Sequence, residues 1–421
     1  MSIGLQKRIL FLDAYFEPEK TAYTHLENDL IDGLIKNGYE ITVICPQPTR
    51  GVDDNTYKNY SKIEFLYDEA LVIKRFKCPR EGKNNLLRAF RYWLTFKKSY
   101  RLAKRDYNFD AIFCNSTPPI QGLLAKKVKK YFCKKRGKLI PFIYNLQDVF
   151  PDSLVNLGLT KKGSIIWKIG KIIERKTYNN ADAIITISNR FRDNLIEKKV
   201  AQEKLTVVPN WTDTNKVRFI PRCDNHLFDK YGINRSLFYF FYCGNIGYSQ
   251  NFDLLLDSAK EIYYENTNIG FIIVGDGAAS NHLKKRVTEE NIRNVIIIPF
   301  QDYKDISSVF SLGDVGLIIS KKGVGHNSVP SKTWSYLAAD RPILCSFDED
   351  SELSNLVKKV KCGLVSEADD KESFKEAVKE FCSNTDLIKM GKNGHRYVSE
   401  TLNKNKCVDE YVKVFNTLLE S

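Results

Sequence analysis

A chain of 421 residues, 43% hydrophobic and 28% charged, is too long for a single core and too apolar for disorder, so two or three globular domains are expected. Its ten cysteines are scattered with no C-x-x-C pair, which favours buried thiols in a reducing cytoplasm over a disulfide framework or a zinc site. The net charge of +14 is lopsided: residues 1–220 hold 40 Lys and Arg against 23 Asp and Glu, and the remainder hold 25 against 28. An anionic partner is therefore expected for the first half, whether membrane lipid, a phosphate-linked substrate or nucleic acid. No apolar run reaches the roughly 18 residues of a membrane span, and Lys7-Arg8 leads straight into a strand without a signal-peptide core. Membrane contact is expected to be peripheral.

Residues 8–13 read as a buried strand, with Glu17, Pro18, Glu19 and Thr21 in the loop beyond it. A helix over 24–37 and a strand over 40–45 complete a βαβ unit, which implies parallel pairing and a right-handed crossover. Phosphate-binding glycines are missing from that first loop, so a dinucleotide fingerprint is absent. Residues 84–107 predict a helix with Leu86, Leu87, Phe90, Trp93 and Leu94 beside a dense basic face. That pattern suits either a crossover helix or an interfacial membrane helix. After a strand at 110–115, the helix past Pro119 shows an apolar core face and a ridge of lysines from Lys126 to Lys135. A strand over 139–146 ends at Gln147-Asp148, where a carboxylate past a buried strand can orient a substrate. A helix near 165–178 and strands at 181–188 and 205–210 finish the half, and the polar stretch 211–235 reads as a linker.

Strand–helix alternation then begins afresh. The strand at 238–243 opens into Gly244-Asn245-Ile246-Gly247, and the strand at 269–274 into Gly275-Asp276-Gly277; such glycine loops let a backbone approach a phosphate. Strands follow at 295–298 and 315–319. Then comes Val329-Pro330-Ser331-Lys332, where Ser331 can cap a helix and Lys332 adds a full positive charge to its N-terminus. Asp340-Arg341-Pro342 ends that helix. A strand from Gly363 and helices near 371–382 and 406–419 close the chain. Each half would gather its loops at the carboxyl edge of a parallel sheet, facing the other across a cleft.

The ordered set Gln147-Asp148-Val149-Phe150-Pro151, Ala181 to Ser188, Val208-Pro209-Asn210, Cys243 to Gly247, Val274 to Gly277 and Pro330 through Pro342 resembles family-4 glycosyltransferases. Bacterial members that build capsular, colanic-acid or O-antigen sugars are the most similar. The resemblance implies a GT-B fold: two Rossmann-like, doubly wound parallel-sheet α/β domains facing a central cleft. It implies an acceptor-binding domain over 1–210, a linker over 211–235 and a donor-binding domain over 236–400. A C-terminal helix over 401–421 would pack back on the first domain.

It further implies retaining transfer of a hexosyl or N-acetylhexosaminyl group from a nucleotide sugar, UDP-linked in preference to GDP or dTDP. No metal or other cofactor is required. The acceptor would be a saccharide on a polyprenyl diphosphate at the inner face of the plasma membrane. Lys332 would neutralise the leaving diphosphate and Asp148 would orient the transferred sugar or the acceptor hydroxyl. Gly244, Asn245, Gly247, Gly275, Asp276, Asn327, Ser331, Lys332 and Ser335 would bind donor, and Glu19, Thr21, Gln147 and Asp148 acceptor.

Many family members carry two Glu eight positions apart where this chain has Asn327 and Ser335. The Arg and Lys common in the glycine loop are Asn245 and Gln250 here. Ribose contact would then fall to Ser335 or Asn327, and Lys321 or Lys322 could assist Lys332. His326 is a further candidate donor contact. A nucleotide-sugar epimerase, or a catalytically impaired nucleotide-sugar-binding partner, would share much of this pattern. Nucleic-acid binding finds no support in zinc spacing, aromatic RNA-binding motifs or a helix-turn-helix signal.

Overall fold

Runs of β-branched and aromatic residues bounded by glycine, proline and asparagine set the strands, and 3.6-residue apolar periodicity sets the helices between them. The computed structural model describes residues 6–19, 21, 23–80, 85–156, 160–325 and 329–420. The chain forms two units, Met1–Asn210 with Asn405–Ser421, and Trp211–Lys404.

The first unit holds strands β1 (Arg8–Leu12), β2 (Glu40–Pro46), β3 (Ile63–Leu66), β4 (Leu71–Phe76), β5 (Ala111–Asn115), β6 (Phe142–Leu146), β7 (Ala183–Thr186) and β8 (Leu205–Val207). Their order is β3-β4-β2-β1-β5-β6-β7-β8, parallel throughout except for β3, which pairs antiparallel with β4 at the edge. The expected βαβ unit is present, with Ile9 beside Ile41 and Phe11 beside Val43 in parallel register. Right-handed crossovers put helices Asn85–Ala103, Gln121–Arg136 and Ile165–Tyr178 on one face of the sheet. On the opposite face lies helix Thr24–Lys36. The final helix, Lys404–Glu420, packs there too: a Cβ at Gly33 would strike Val408, and Phe415 meets Phe113 with ring centroids 5.9 Å apart.

The second unit holds β9 (Phe238–Cys243), β10 (Ile269–Val274), β11 (Val295–Ile298), β12 (Val315–Ile319), β13 (Ile343–Phe347) and β14 (Gly363–Glu367). Their order is β11-β10-β9-β12-β13-β14, all parallel, so the winding reverses between β9 and β12. Ligands of open α/β sheets bind at such a reversal, beyond the carboxyl ends of the strands. Residues 211–235, read from the sequence as a linker, place Val217, Leu227, Phe228 and Ile233 in this unit's core. Cys45, Cys78, Cys114, Cys345, Cys362 and Cys407 are buried free thiols, whereas Cys223 and Cys382 are exposed. Among the described residues, no helix is long and apolar enough to cross a membrane.

Candidate functional site

At the reversal in the second sheet, the loops after β9 and β10 interlock through their glycines. Gly244 and Gly275 adopt φ of 138° and 148°, values that side chains disfavour. A Cβ on Gly275 would stand 1.9 Å from the Gly244 carbonyl oxygen, and one on Gly277 2.3 Å from that of Ile246. The close approach is held by backbone bonds: the Gly244 N–H donates to Val274 O at 2.9 Å and the Ile246 N–H to Asp276 O at 2.9 Å. Gln250 Oε1 accepts from the Gly247 N–H at 3.0 Å, and Asn251 caps helix Phe252–Glu265 by accepting from the Leu254 N–H at 3.1 Å. Asn245 and Asp276 stand exposed on the two loops.

Lys332 reaches into this floor from helix Lys332–Ala338. Its Nζ lies 3.6 Å from the centroid of the Tyr242 ring, and a Cβ at Gly244 would be 3.3 Å from that nitrogen. The helix is fixed underneath: the Tyr336 hydroxyl accepts the Cys243 N–H at 2.8 Å, and the Tyr336 ring fills the space a side chain at Gly316 would need. Desolvation lowers the Lys332 ammonium to about 7; the Cys243 thiol beside it is pushed up by burial to about 12 and stays neutral. Among the described residues the Lys332 ammonium has no hydrogen bond or ion pair, only the Tyr242 ring. A cation without an anion, on a floor of close backbone, is poised for one.

The other expected donor groups are spread around this floor. Ser331 is exposed with helical backbone angles, and its side chain makes no capping hydrogen bond. Ser335 is half-buried one turn further along the helix. Lys322 Nζ is paired with Glu367 at 3.1 Å, whereas Lys321 is exposed and its N–H donates to Ser249 O at 2.9 Å, tying the loop after β12 to the loop after β9. Asp348 pins that loop through the N–H groups of Gly323 and Gly325. Asn327 and His326 lie outside the described residues.

In the first unit, Asp148 lies past β6 with part of its surface exposed, but its carboxyl group is desolvated, which raises it, partly offset by hydrogen bonds from Ser153 and the Val149 N–H. Gln147 is held between two amides: Asn210 Nδ2 donates to its Oε1 at 2.9 Å and its Nε2 donates to Asn145 Oδ1 at 3.1 Å. Glu19 is 1% exposed. Its carboxylate accepts from the N–H groups of Phe16, Thr49 and Arg50, with Arg91 at 3.9 Å, so it organises the loops after β1 and β2 from within. Thr21 accepts from the Thr24 N–H at 3.2 Å and starts helix Thr24–Lys36.

The sequence reading missed a buried polar chain beside these groups. Asp13 follows β1 and Glu27 lies in the first turn of helix Thr24–Lys36; Asn115 Nδ2 donates to both, at 2.9 and 2.6 Å. Asn145 Nδ2 continues to Asn115 Oδ1 at 2.8 Å and the Tyr23 hydroxyl at 2.6 Å, and Tyr411 donates to Asn145 Oδ1 at 3.0 Å. Two carboxyls buried together cannot both ionise, and burial raises both. One shared proton gives Asp13 Oδ2 the partner it otherwise lacks.

Comparison with known proteins matches residues 28–216 to the Glycosyltransferase Family 4 model and residues 224–397 to the Glycosyl transferases group 1 model. WcaI of Escherichia coli K12, assigned to colanic acid biosynthesis as a glycosyl transferase, is 24% identical over 83% of this chain and 85% of its own length. Sucrose-phosphate synthase from Thermosynechococcus elongatus superposes with a TM-score of 0.75 at 13% identity, covering 98% of this chain and 99% of its own. Anabaena Alr3699/HepE, solved with UDP and glucose, gives 0.70 at 14% identity over 98% and 100%.

Proposed function

Because the chain belongs to glycosyltransferase family 4 and carries the two parallel-sheet α/β domains of the GT-B fold, we propose that its second unit binds a nucleoside-diphosphate sugar at Lys332. The chain is a glycosyltransferase of bacterial polysaccharide or glycolipid synthesis, the setting of its relatives. The observation that carries the donor reading is the desolvated ammonium of Lys332, without a hydrogen bond or ion pair among the described residues, against the Gly244 backbone at the winding reversal. The diphosphate supplies the missing anion, and as the glycosidic bond forms Lys332 stabilises the charge gathering on the leaving phosphate. Gly244, Gly247, Gly275 and the exposed Asn245 and Asp276 line the donor's approach, with Ser331 and Ser335 nearby. UDP is the favoured nucleotide, in keeping with the UDP bound by the Anabaena neighbour.

Transfer retains the anomeric configuration by same-face displacement: the phosphate oxygen leaves, takes the acceptor hydroxyl proton, and the acceptor oxygen bonds the anomeric carbon. The moved group is a hexose or N-acetylhexosamine. The first unit presents the acceptor, a lipid-linked saccharide, with Asp148 orienting it and Gln147, Thr21 and Glu19 shaping the edge. Its surplus of Lys and Arg suits a polyprenyl diphosphate in the anionic inner leaflet of the plasma membrane. A thermal-shift screen against UDP-, GDP- and dTDP-sugars tests the donor reading. A rise in Tm with one nucleotide series supports it, and no shift with any of them refutes it. Product NMR that finds an inverted anomeric centre would refute the retaining course.

A further inference from the structure

Helix Ile165–Tyr178 packs on the first unit through Gly170, Glu174, Thr177 and Tyr178. Ile165, Ile169 and Ile172 follow at helical spacing on the opposite side, with Ile166 next to them, and the four are 46–78% exposed. Single exposed apolar residues are ordinary, but four isoleucines on one helix form a patch that needs a partner. Lys161 and Lys162 precede the helix, and Lys168, Arg175 and Lys176 border the stripe. None of these five cations has an ion pair among the described residues. The helix's one carboxylate, Glu174, is 5% exposed and is taken up by Lys171 and Lys198. The outer face is thus apolar and cationic with no counter-charge. Helix Gln121–Arg136 packs alongside and turns Lys127, Lys130 and Lys134 outward. Helix Asn85–Ala103, packed against that one in turn, exposes Phe90 and Trp93, stacked at 5.8 Å.

We propose that helix Ile165–Tyr178 is an interfacial anchor whose isoleucines enter the acyl boundary of an anionic leaflet while the flanking cations meet lipid phosphates. Charge selects this occupant. A cationic rim without carboxylates complements a sheet of phosphates, and side chains that are apolar at the centre and basic at the border match the depth profile of a membrane surface. The inference rests on the peripheral-membrane part of the reading above and adds the inserting element. It also predicts a behaviour that charge alone does not give: part of the binding survives high salt, because buried isoleucine is not screened.

The test is flotation of the full chain with vesicles of phosphatidylcholine mixed with phosphatidylglycerol, and of phosphatidylcholine alone, at low and high salt. The wild type is expected to float with the mixed vesicles and to keep a salt-resistant fraction. The variant Ile165→Ser/Ile166→Ser/Ile169→Ser/Ile172→Ser is expected to partition about tenfold less or weaker still and to lose that fraction, with Tm and the nucleotide-induced shift unchanged. Equal partitioning of variant and wild type would overturn the proposal. So would a variant that changes only the association state of the protein, since the stripe would then bind a second copy. Lost flotation with an intact nucleotide shift, or the reverse, separates failure of the anchor from failure of the donor site.

Discussion

An ammonium held over a tyrosine ring, with backbone in place of a carboxylate beside it, is disfavoured in its charged form until an anion arrives. Lys332 titrates near 7 in the folded chain and about 10.4 when unfolded, so between those values the unfolded state binds more protons and stability rises with pH. Below 7 the full cost is present. Lys332→Met should therefore raise Tm at pH 6, corresponding to about 1–3 kcal/mol, and change little at pH 10. Differential scanning at the two pH values decides it.

With the donor held at Lys332 as proposed, the same group would set the pH dependence of donor binding. A bound diphosphate raises the lysine, so binding above pH 7 must take up a proton. Affinity for a UDP-sugar is expected to be flat below 7 and to fall up to about tenfold per pH unit above it. An affinity independent of pH from 6 to 9 would exclude Lys332 from the contact. Gly275 makes a structural demand: Gly275→Ala adds a Cβ against the Gly244 carbonyl at an unfavourable φ and should cost at least about 2 kcal/mol in denaturant unfolding. These glycine loops and Lys332 were legible because strand, glycine turn and helix start follow one another in sequence. The isolation of Lys332 was not legible, since it depends on the folded chain setting its ammonium over the Tyr242 ring with no hydrogen bond or ion pair among the described residues.

At the scale of elements, Asp13 and Glu27 join β1 to helix Thr24–Lys36 through one shared proton. Burial pushes Asp13 up to about 7 against the opposing pull of its hydrogen bonds with Glu27 and Asn115, while burial and the Asp13 charge together raise Glu27. The folded state then holds more protons than the unfolded one between about pH 4 and 7. The Asp13 part of the pair's contribution is complete below that window and is lost as pH rises through 7. Glu27→Gln keeps an oxygen for Asn115 and offers Asp13 a permanent donor, so it should raise Tm at pH 8 and leave it nearly unchanged at pH 5. A variant less stable at pH 8 would show that the proton is not shared.

This network was invisible in the sequence because its members lie far apart: Asn115 is 102 residues from Asp13, and Tyr411 is 266 from Asn145. The β3–β4 hairpin escaped for another reason. Its turn places Tyr67, Asp68 and Glu69 at φ of 54°, 51° and 70° without a glycine or asparagine to mark it. Helix Leu387–Thr401 also went unread; it carries Gly391 and Gly394 in its interior, where glycine disfavours a helix. In the fold they let the helix approach Asp340 O and Leu337. The central strands of both sheets, by contrast, are continuous apolar runs, and the sequence placed β9 to β12 at their observed bounds.

For the whole molecule, the charge surplus lies in the half that holds the exposed isoleucine helix, while the desolvated lysine lies in the other. On the proposed reading the halves divide the labour: one would hold the activated sugar, and the other would meet the acceptor and its lipid surface. The donor part of that reading rests on a nucleoside diphosphate being held at Lys332. Calorimetric titration of UDP, with GDP and dTDP in parallel, into the wild type and Lys332→Ala tests this most directly. The account predicts saturable binding by the wild type and a tenfold to hundredfold weakening in the variant, about 1.4–2.8 kcal/mol. Equal affinity in the two proteins, or no binding of any of the three nucleotides, would contradict it.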